Sequence, residues 1–428
     1  MLIHIVQKDE TISAIAQSYN VPIERLIQDN GITAPYDLVV GQTLVIVYPK
    51  EIYIVESGDT LAGIADAHGI TLMELLRNNP HLSDREFIYP GEPLVIRYED
   101  EKIMKISTNG YAYPFIDHKL LRKILPYLTY LTIFNYRITP KGELIDIEDE
   151  ELIQIAKGYG VAPIMLVSTF TAQGTSGEEI AHVIFNNISI QITLINNILS
   201  IMKAKGYYGL TIDSQNILHE DRENFLSFIK LLSDSLNNEG YELTVTITPF
   251  TFQTEYIYEV QEFRALAEEA NKVMLLSYEW GHTFGPPVAV TPIQEVKDLL
   301  NFAITMIPVD KINIGIPTIG YDWHLPYIEG VSMANSISSV AAVELARDVG
   351  ATIFYNKDFE APFFMYEGDT PSPHIVWFKD ARSMEALVGL LPEFDIHGIG
   401  IWNIMFFFYQ MWLIINVKFD IKRIDMGD

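Results

Sequence analysis

Cysteine is absent from the chain of 428 residues. Its absence excludes disulfide bonds, zinc sites built from thiolates, cysteine nucleophiles and thiol redox chemistry. It does not identify the cellular compartment, because secreted bacterial proteins without cysteine are common.

Basic residues are also scarce, with 29 Lys and Arg against 56 Asp and Glu and a net charge of -27. A surface this acidic repels phosphate backbones and anionic lipid headgroups. We therefore expect no nucleic-acid partner, no membrane partner and a monomer. The amino terminus has no basic cluster ahead of an apolar stretch, so no cleavable signal peptide is expected.

Formal charge is missing from one segment, Gly398–Val417, which has the length of a membrane span. The segment contains the polar residues Asn403, Gln410 and Asn416, and it begins with the alternation Gly-Ile-Gly-Ile-Trp that is typical of a strand. A buried strand followed by a helix is therefore favoured over a tail anchor.

The residues that are present indicate a large folded protein. The length predicts two or three domains, and 49% hydrophobic with 12% aromatic residues is too apolar for a disordered chain. The ten histidines show no His-x-x-x-His spacing, so no metal site is predicted.

The first hundred residues contain an internal repeat. A shift of 49 positions places His4-Ile5-Val6 on Tyr53-Ile54-Val55, and a shift of 50 places Gly41 on Gly91. Each copy predicts a strand, a helix with a threonine cap, a second helix and a closing strand. We assign the two βααβ domains to residues 1–48 and 51–97.

Both copies resemble the LysM domain, and the second fits it better, on the run Val55–Leu61, the pair Asn79-Pro80 and the pair Pro90-Gly91. The resemblance implies binding of N-acetylglucosamine glycans along a groove between two loops. Its predicted contacts are Gly58, Asp59, Thr60, Leu61, Asn79 and Pro80. The first copy has Asp9 where the second has Gly58, so a turn with positive φ would be strained there. A structural repeat without a ligand is the alternative.

The remainder, 103–428, alternates β-branched runs with helical segments, as βα units around a parallel sheet do. We predict the α/β class and a (β/α)8 TIM barrel with an α+β insertion at about 327–381. The predicted strands begin near Ile106 and continue at Leu131–Tyr136, Ala162–Val167, Gly209–Asp213, Leu243–Thr248, Val273–Tyr278, Ile312–Pro317 and Ile399–Trp402. Catalytic groups are expected at the carboxyl ends of these strands.

The run Gly206–Gln215 resembles the fourth-strand motif of glycoside hydrolase family 18, which usually ends Asp-x-Glu. Further similarities follow in order at Ser277–Gly281, Gly285–Pro287, Gly315–Pro317, Gly320–Trp323, Val376–Phe378 and Gly400–Trp402. With the two repeats in front, the whole chain is similar to the spore-germination cortical-fragment-lytic glycosidases of the YaaH/SleL type.

This resemblance implies substrate-assisted, retaining hydrolysis without a cofactor. Asp213 would orient the acetamido group, Tyr278 would bind its carbonyl oxygen, and Trp402 would form the floor of the sugar subsite. The implied substrate-binding residues are Glu279, Trp280, Tyr321, Asp322 and Trp402. The implied partner is peptidoglycan or another N-acetylglucosamine glycan, in the cortex or coat layers of a spore.

The chain departs from the family at Gln215, which occupies the position of the proton-donating Glu. A carboxamide has no transferable proton, so we expect weak or lost hydrolysis. Glu220 could supply a proton through water, although a solvated helix start is the favoured interpretation. Two hypotheses remain: a cortex N-acetylglucosaminidase with impaired hydrolysis, and a non-catalytic, lectin-like or structural spore protein.

Overall fold

The fold was examined in a computed structural model, which describes residues 1–83, 85, 87–168, 177–213, 217–248, 260–368 and 372–426. The predicted class is confirmed, because eight parallel strands close into a barrel behind two small α+β units. Gln215, predicted at the position of the acid, lies outside the described residues, and so does its neighbour Ser214.

The two repeats fold alike. The first consists of β1 (Leu2–Ile5), α1 (Ile12–Tyr19), α2 (Ile23–Asn30) and β2 (Thr43–Ile46), and the second of β3 (Pro49–Ile54), α3 (Leu61–Ala67), α4 (Leu72–Asn78) and β4 (Pro93–Tyr98). In each copy the first and last strands pair antiparallel. Thr11 and Thr60 cap the first helices, because their hydroxyls accept hydrogen bonds from backbone amides three residues on.

The turn before the first helix has positive φ in both copies, 65° at Asp9 and 95° at Gly58. The strain expected at Asp9 is therefore present in the fold, since aspartate pays a steric cost in this region that glycine avoids.

The barrel is a ring of eight strands in chain order, closed where the first strand pairs with the second and the last. Its strands are β5 (Met104–Ala112), β6 (Tyr130–Ile138), β8 (Ala162–Ser168), β9 (Gly209–Asp213), β10 (Glu242–Ile247), β11 (Lys272–Leu275), β12 (Ile312–Pro317) and β18 (Gly398–Trp402). Within the part of the chain that the structure describes, two short strands extend the barrel sheet beyond the ring, β7 (Leu144–Ile145) beside β6 and β19 (Phe419–Ile421) beside β5.

Helices surround this ring. They are α5 (His118–Ile124), α6 (Glu150–Gly158), α7 (Gly177–Phe185), α8 (Ile188–Lys205), α9 (Arg222–Asn238), α10 (Val260–Glu269), α11 (Ile293–Ala303), α13 (Ala381–Phe394) and α14 (Tyr409–Lys418). Helices α7 and α8 follow each other closely in the chain and are bent by 106° relative to each other. The side chain of Asn187 accepts from the amides of Ser189 and Ile190 and so starts a new helix.

The insertion is a second sheet above the barrel. It contains β13 (Ile319–His324), β14 (Asn335–Ser338), α12 (Ser339–Asp348), β15 (Phe354–Asn356), β16 (Ala361–Glu367) and β17 (Pro373–Trp377). Its strand order is β14-β13-β17-β16-β15. The sheet thus includes residues before position 327, because only Thr318 separates β13 from the barrel strand ahead of it.

The uncharged segment Gly398–Val417 forms β18 and α14, as the strand-helix prediction expects. Helix α14 is buried from Met411 to Val417, because it packs between the barrel and the two repeats. Asn416, fully buried on this helix, accepts from Arg77 at 3.1 Å and donates to Asn78 at 2.8 Å. Among the described residues no single helix is long and apolar enough to cross a membrane, although the bent pair α7 and α8 passes that test together.

Candidate active site

Three polar residues meet at the carboxyl end of the barrel. Asp213 ends β9 and is buried, and its carboxylate accepts a hydrogen bond of 3.0 Å from the Thr246 hydroxyl on the next strand. Burial raises the pKa of Tyr278 and of Tyr111, and the charge of Asp213 raises both further. Tyr111 and Tyr278 also belong to one cluster of buried side chains, with Trp402 packed against it, so the two phenols and the Asp213 carboxylate form one site.

Tyr278 lies beyond its strand. The sequence placed it in a strand that ends at 278, whereas β11 ends at Leu275, and the Leu276 amide makes one further bond of 2.9 Å to the Ile247 carbonyl of β10. The Ser277 hydroxyl donates to the Gly315 carbonyl at 2.7 Å and holds this turn. A Cβ at Gly315 would lie 2.6 Å from the Tyr278 ring, so glycine is what allows the ring to lie across β12.

Aromatic rings form one wall of the cleft. Trp402, at the end of β18, is half-buried, and its ring centroid lies 5.0 Å from that of Phe134, 5.8 Å from that of Tyr111 and 6.0 Å from that of Tyr113. Faces of this kind match the apolar faces of pyranose rings. The position predicted for the sugar floor therefore belongs to a cluster of four rings.

The insertion supplies the opposite wall. Tyr321 is buried on β13, with its ring centroid 5.6 Å from that of Trp323. The indole of Trp323 donates to the Gly285 carbonyl at 3.0 Å, and that of Trp377 donates to the Pro287 carbonyl at 3.1 Å. These bonds fasten the loop after β11 to the insertion sheet.

Glu279 follows Tyr278 in an unusual backbone conformation, with φ of 76°. The residue is exposed, yet the surrounding protein raises the pKa of its carboxyl by desolvation. Its charge in turn raises the pKa of Tyr278 and Tyr321, after the larger effect of burial. Backbone strain and a perturbed acid in a cleft are typical of functional positions.

Glu279→Gln is expected to change the dependence of stability on pH. A carboxyl whose pKa is raised in the folded state contributes stability below its unfolded pKa, and this is lost as pH rises through the folded value. The variant cannot ionise, so its melting temperature should match the native one at pH 3 and exceed it at pH 7. Glu101→Gln, at an exposed residue between the second repeat and the barrel, controls for net charge. Equal shifts in both variants would contradict the prediction.

Two further predicted site residues have partners in the surrounding protein. Asp322 and Tyr321 project from opposite faces of β13. The Asp322 carboxylate accepts from the Tyr366 hydroxyl at 2.7 Å and lies 2.8 Å from His374 Nδ1, so this side chain is turned away from Tyr321. Trp280 is half-buried and packs against the main barrel core.

Glu220, the alternative proton donor, is exposed in a single turn before α9. Its carboxylate lies 3.7 Å from His182 Nδ1 on α7. Asp221 beside it is buried and bonds His182 and the Asn186 amide. Among the described residues, His182, Glu220 and Asp221 are the one group whose ligand atoms lie within 4.8 Å of one another, and hydrogen bonds within the group already engage Asp221.

Three of the predicted LysM contact residues make hydrogen bonds that stabilise the fold of the repeat. Asn79 is fully buried, and its amide bonds the carbonyls of Leu75 and Val95 and the amide of Val95. The carboxylate of Asp59 accepts from the Tyr53 hydroxyl and the Glu56 amide, and Thr60 caps α3. Gly58 remains exposed, and Leu61 and Pro80 are half-buried.

Tyr111 was not singled out from the sequence. Its ring lies at the carboxyl end of the first barrel strand, in the run Gly110-Tyr111-Ala112-Tyr113 whose alternation is the available signal. Its hydroxyl is buried and has no hydrogen-bond partner among the described residues. A polar atom buried in this way costs stability unless something else pairs with it.

Tyr111→Phe is expected to raise the free energy of unfolding by about 1 kcal/mol, because it removes an unpaired hydroxyl and keeps the ring. The matched control is Tyr127→Phe, whose buried hydroxyl donates to the Arg77 carbonyl at 2.9 Å. In the same urea titration, the free energy of unfolding of the control should fall by about 1 kcal/mol. A loss in both variants would mean that Tyr111 is paired in solution.

Comparison with known proteins supplies independent information. Residues 4–47 and 53–97 match the LysM domain, and residues 176–406 match Glycosyl hydrolases family 18. A cortical fragment-lytic enzyme of Bacillus subtilis (strain 168) is 32% identical over 428 residues, covering 99% of each chain. One of Bacillus anthracis is 31% identical over 424 residues, covering 98% of each. The crystal structure of the Bacillus cereus spore cortex-lytic enzyme SleL superposes with a TM-score of 0.81 at 30% identity, covering 99% of each chain.

Proposed function

The chain belongs to glycosyl hydrolases family 18, and from this premise we propose that it binds N-acetylglucosamine glycans of the spore cortex in the cleft at the carboxyl end of its barrel. The observation that carries the proposal is the convergence of Asp213, Tyr278 and Trp402 on one cleft. Relatives that match over almost the whole chain are named for acting on cortical fragments, which supports the choice of glycan.

In this proposal each residue has a separate task. The Asp213 carboxylate, held by Thr246, orients the acetamido group of the bound sugar. The Tyr278 hydroxyl donates to the acetamido carbonyl, a role that suits a phenol whose raised pKa keeps its proton. Trp402 and its neighbouring rings stack on the pyranose.

Hydrolysis is proposed to be weak or lost. Protonation of the leaving oxygen normally contributes about 10²- to 10⁴-fold to such rates. Gln215 has no proton to give, and Glu220, the nearby carboxylate considered in its place, lies beside His182 on α7. The site then still orients the acetamido group, but it does not cleave the glycosidic bond efficiently.

The two repeats are proposed to hold the protein on its polymer. Their match to LysM supports binding of peptidoglycan or a related glycan, and so supports residence in the cortex or coat layers of the spore. A tethered barrel meets its glycan at raised local concentration, which increases avidity without new contacts in the cleft.

Sedimentation and product analysis test this function together. The native chain should sediment with insoluble cortex peptidoglycan, while chromatography should detect few new N-acetylglucosamine reducing ends. Rapid release of such ends would refute the impaired hydrolysis. Failure to sediment would refute glycan binding and favour the structural spore protein.

A further inference from the structure

A second cleft lies between the repeats and the barrel, away from the site described above. It measures about 220 Å³. Its walls come from Arg25 and Gly31–Thr33 of the first repeat, Pro80 and His81 of the second, and Lys123 and Tyr409 of the barrel. This volume is below the ~300–1,000 Å³ of drug-sized pockets and suits a single sugar ring.

The walls are fixed by contacts between the three units. A Cβ at Gly31, where φ is 64°, would lie 2.3 Å from the Tyr409 ring, so that ring is pressed onto the backbone of the first repeat. Arg25 pairs with Asp29 at 2.8 Å and donates to the Asn78 carbonyl at 3.1 Å, which joins the two repeats. The cleft therefore exists before any ligand binds, which reduces the entropy cost of binding.

Lys123 is the charged residue that the barrel brings to the cleft, where the first repeat contributes the paired side chains of Arg25 and Asp29. Its Nζ lies 2.8 Å from the Tyr409 hydroxyl and over the rings of Phe407 and Tyr409, 4.3 and 4.4 Å from their centroids. An ammonium group has three protons, so the bond to Tyr409 leaves it able to bind a further acceptor. The chain has a net charge of -27, so a cation held over aromatic rings is a local exception to its acidic composition.

The other lining residues suit a sugar. His81 belongs to the lining, burial lowers the pKa of its imidazole, and its Nε2 lies 3.4 Å from the Glu92 carboxylate. The face of Tyr409 and the ring of Pro80 offer apolar surface beside it. The residues after α2 and after α4, equivalent in the repeat, both contribute to the lining.

We propose that this cleft binds a glycan unit that carries a carboxylate, with Lys123 of the barrel completing a site begun by the two repeats. The inference rests on the proposed function, because it assumes that the repeats bind N-acetylglucosamine glycans. It adds the class of sugar, an acidic one such as N-acetylmuramic acid, and it assigns to the barrel a part in recognition outside its own cleft.

Calorimetry with two disaccharides tests the inference. N-acetylglucosaminyl-N-acetylmuramic acid carries a carboxylate, and chitobiose is its neutral counterpart. In the full chain, Lys123→Met should weaken binding of the acidic disaccharide about tenfold, the size of one charge-assisted bond, and leave chitobiose binding unchanged. Lys123→Arg should retain the preference, and Lys119→Met, at an exposed residue of the same helix, should have no effect.

Footprinting locates the ligand directly. The acidic disaccharide should slow amine-reactive labelling of Lys123 and leave Lys119 unchanged, as read by mass spectrometry. Unchanged labelling of Lys123 in a chain that still sediments with peptidoglycan would overturn this inference alone. A native chain that neither sediments nor binds either disaccharide would overturn the proposed function as well.

Discussion

Gln215→Glu is expected to raise the rate of glycan cleavage by about 10²- to 10⁴-fold, the contribution of one general acid. The expectation depends on the parts of the site already in place. Asp213 is buried at the end of β9 and bonded to Thr246, and Tyr278 lies within reach of its charge. A restored acid would therefore meet a substrate whose acetamido group is already oriented. New reducing ends, counted by chromatography, measure the rate.

The double variant Asp213→Asn with Gln215→Glu is the control. If the gain arises from substrate assistance, removing the orienting carboxylate should abolish most of it, since groups that act as a unit are not additive. Equal rates in the native chain and in Gln215→Glu would show that position 215 does not limit catalysis. A gain that survives Asp213→Asn would contradict the role proposed for Asp213.

Gly41→Ala is expected to separate the first repeat from the insertion. Gly41 has φ of 87°, and a Cβ there would lie 1.9 Å from the Ile353 carbonyl oxygen, well inside any real contact. The change should break the bond of 2.9 Å from the Ile353 amide to the Val40 carbonyl. We expect a loss of about 1–2 kcal/mol for the backbone conformation and about 1–3 kcal/mol more for the overlap.

The repeat itself provides the matched control, Gly91→Ala. Gly91 is the equivalent residue of the second copy, with φ of 90° and nothing within 4 Å of a Cβ. Gly91→Ala should lose only the stability that the backbone conformation costs, about 1–2 kcal/mol. Urea titration compares the two losses, and hydrogen exchange at the Ile353 amide reports separation of the units. Equal losses with Ile353 still protected would show that the contact between the units is soft.

Helix α14 joins the two repeats to the barrel. Its apolar residues face the barrel core on one side, while Gln410 donates to the Thr43 carbonyl and Asn416 pairs with Asn78 on the other. A barrel helix of this position normally exposes one polar face, and here the repeats cover it. The packing of the repeats on α14 also forms the cleft at Lys123, because Tyr409, which lines that cleft, is the first residue of the helix.

Much of the fold could be predicted from the sequence. The predicted bounds Gly209–Asp213 and Ile312–Pro317 agree with the structure at both ends, because buried parallel strands are short apolar runs bounded by turn residues. The strand at 273 was predicted to end three residues too late, since Leu276 and Tyr278 continue its run of large side chains and only the backbone bonding marks its end.

The candidate site could likewise be predicted in part from the sequence. Sequence similarity alone identified Asp213, Tyr278 and Trp402, and the structure places all three at one end of the barrel. It also identified Asp322, which adjoins Tyr321 in the chain but projects from the opposite face of its strand toward His374. Neighbours on a strand point opposite ways, so similarity to a run of residues cannot say which of them faces the cleft.

The sequence by itself determined the repeat, the alternation of strands and helices and the missing acid, because each is a property of local order along the chain. Only the tertiary structure decided the rest. Three features depend on which surfaces meet. They are the unpaired hydroxyl of Tyr111, the buried hydrogen bonds of the Asn79 side chain, and the position of the Lys123 ammonium over two rings. Those contacts join residues far apart in sequence, and no local pattern of residue types records them.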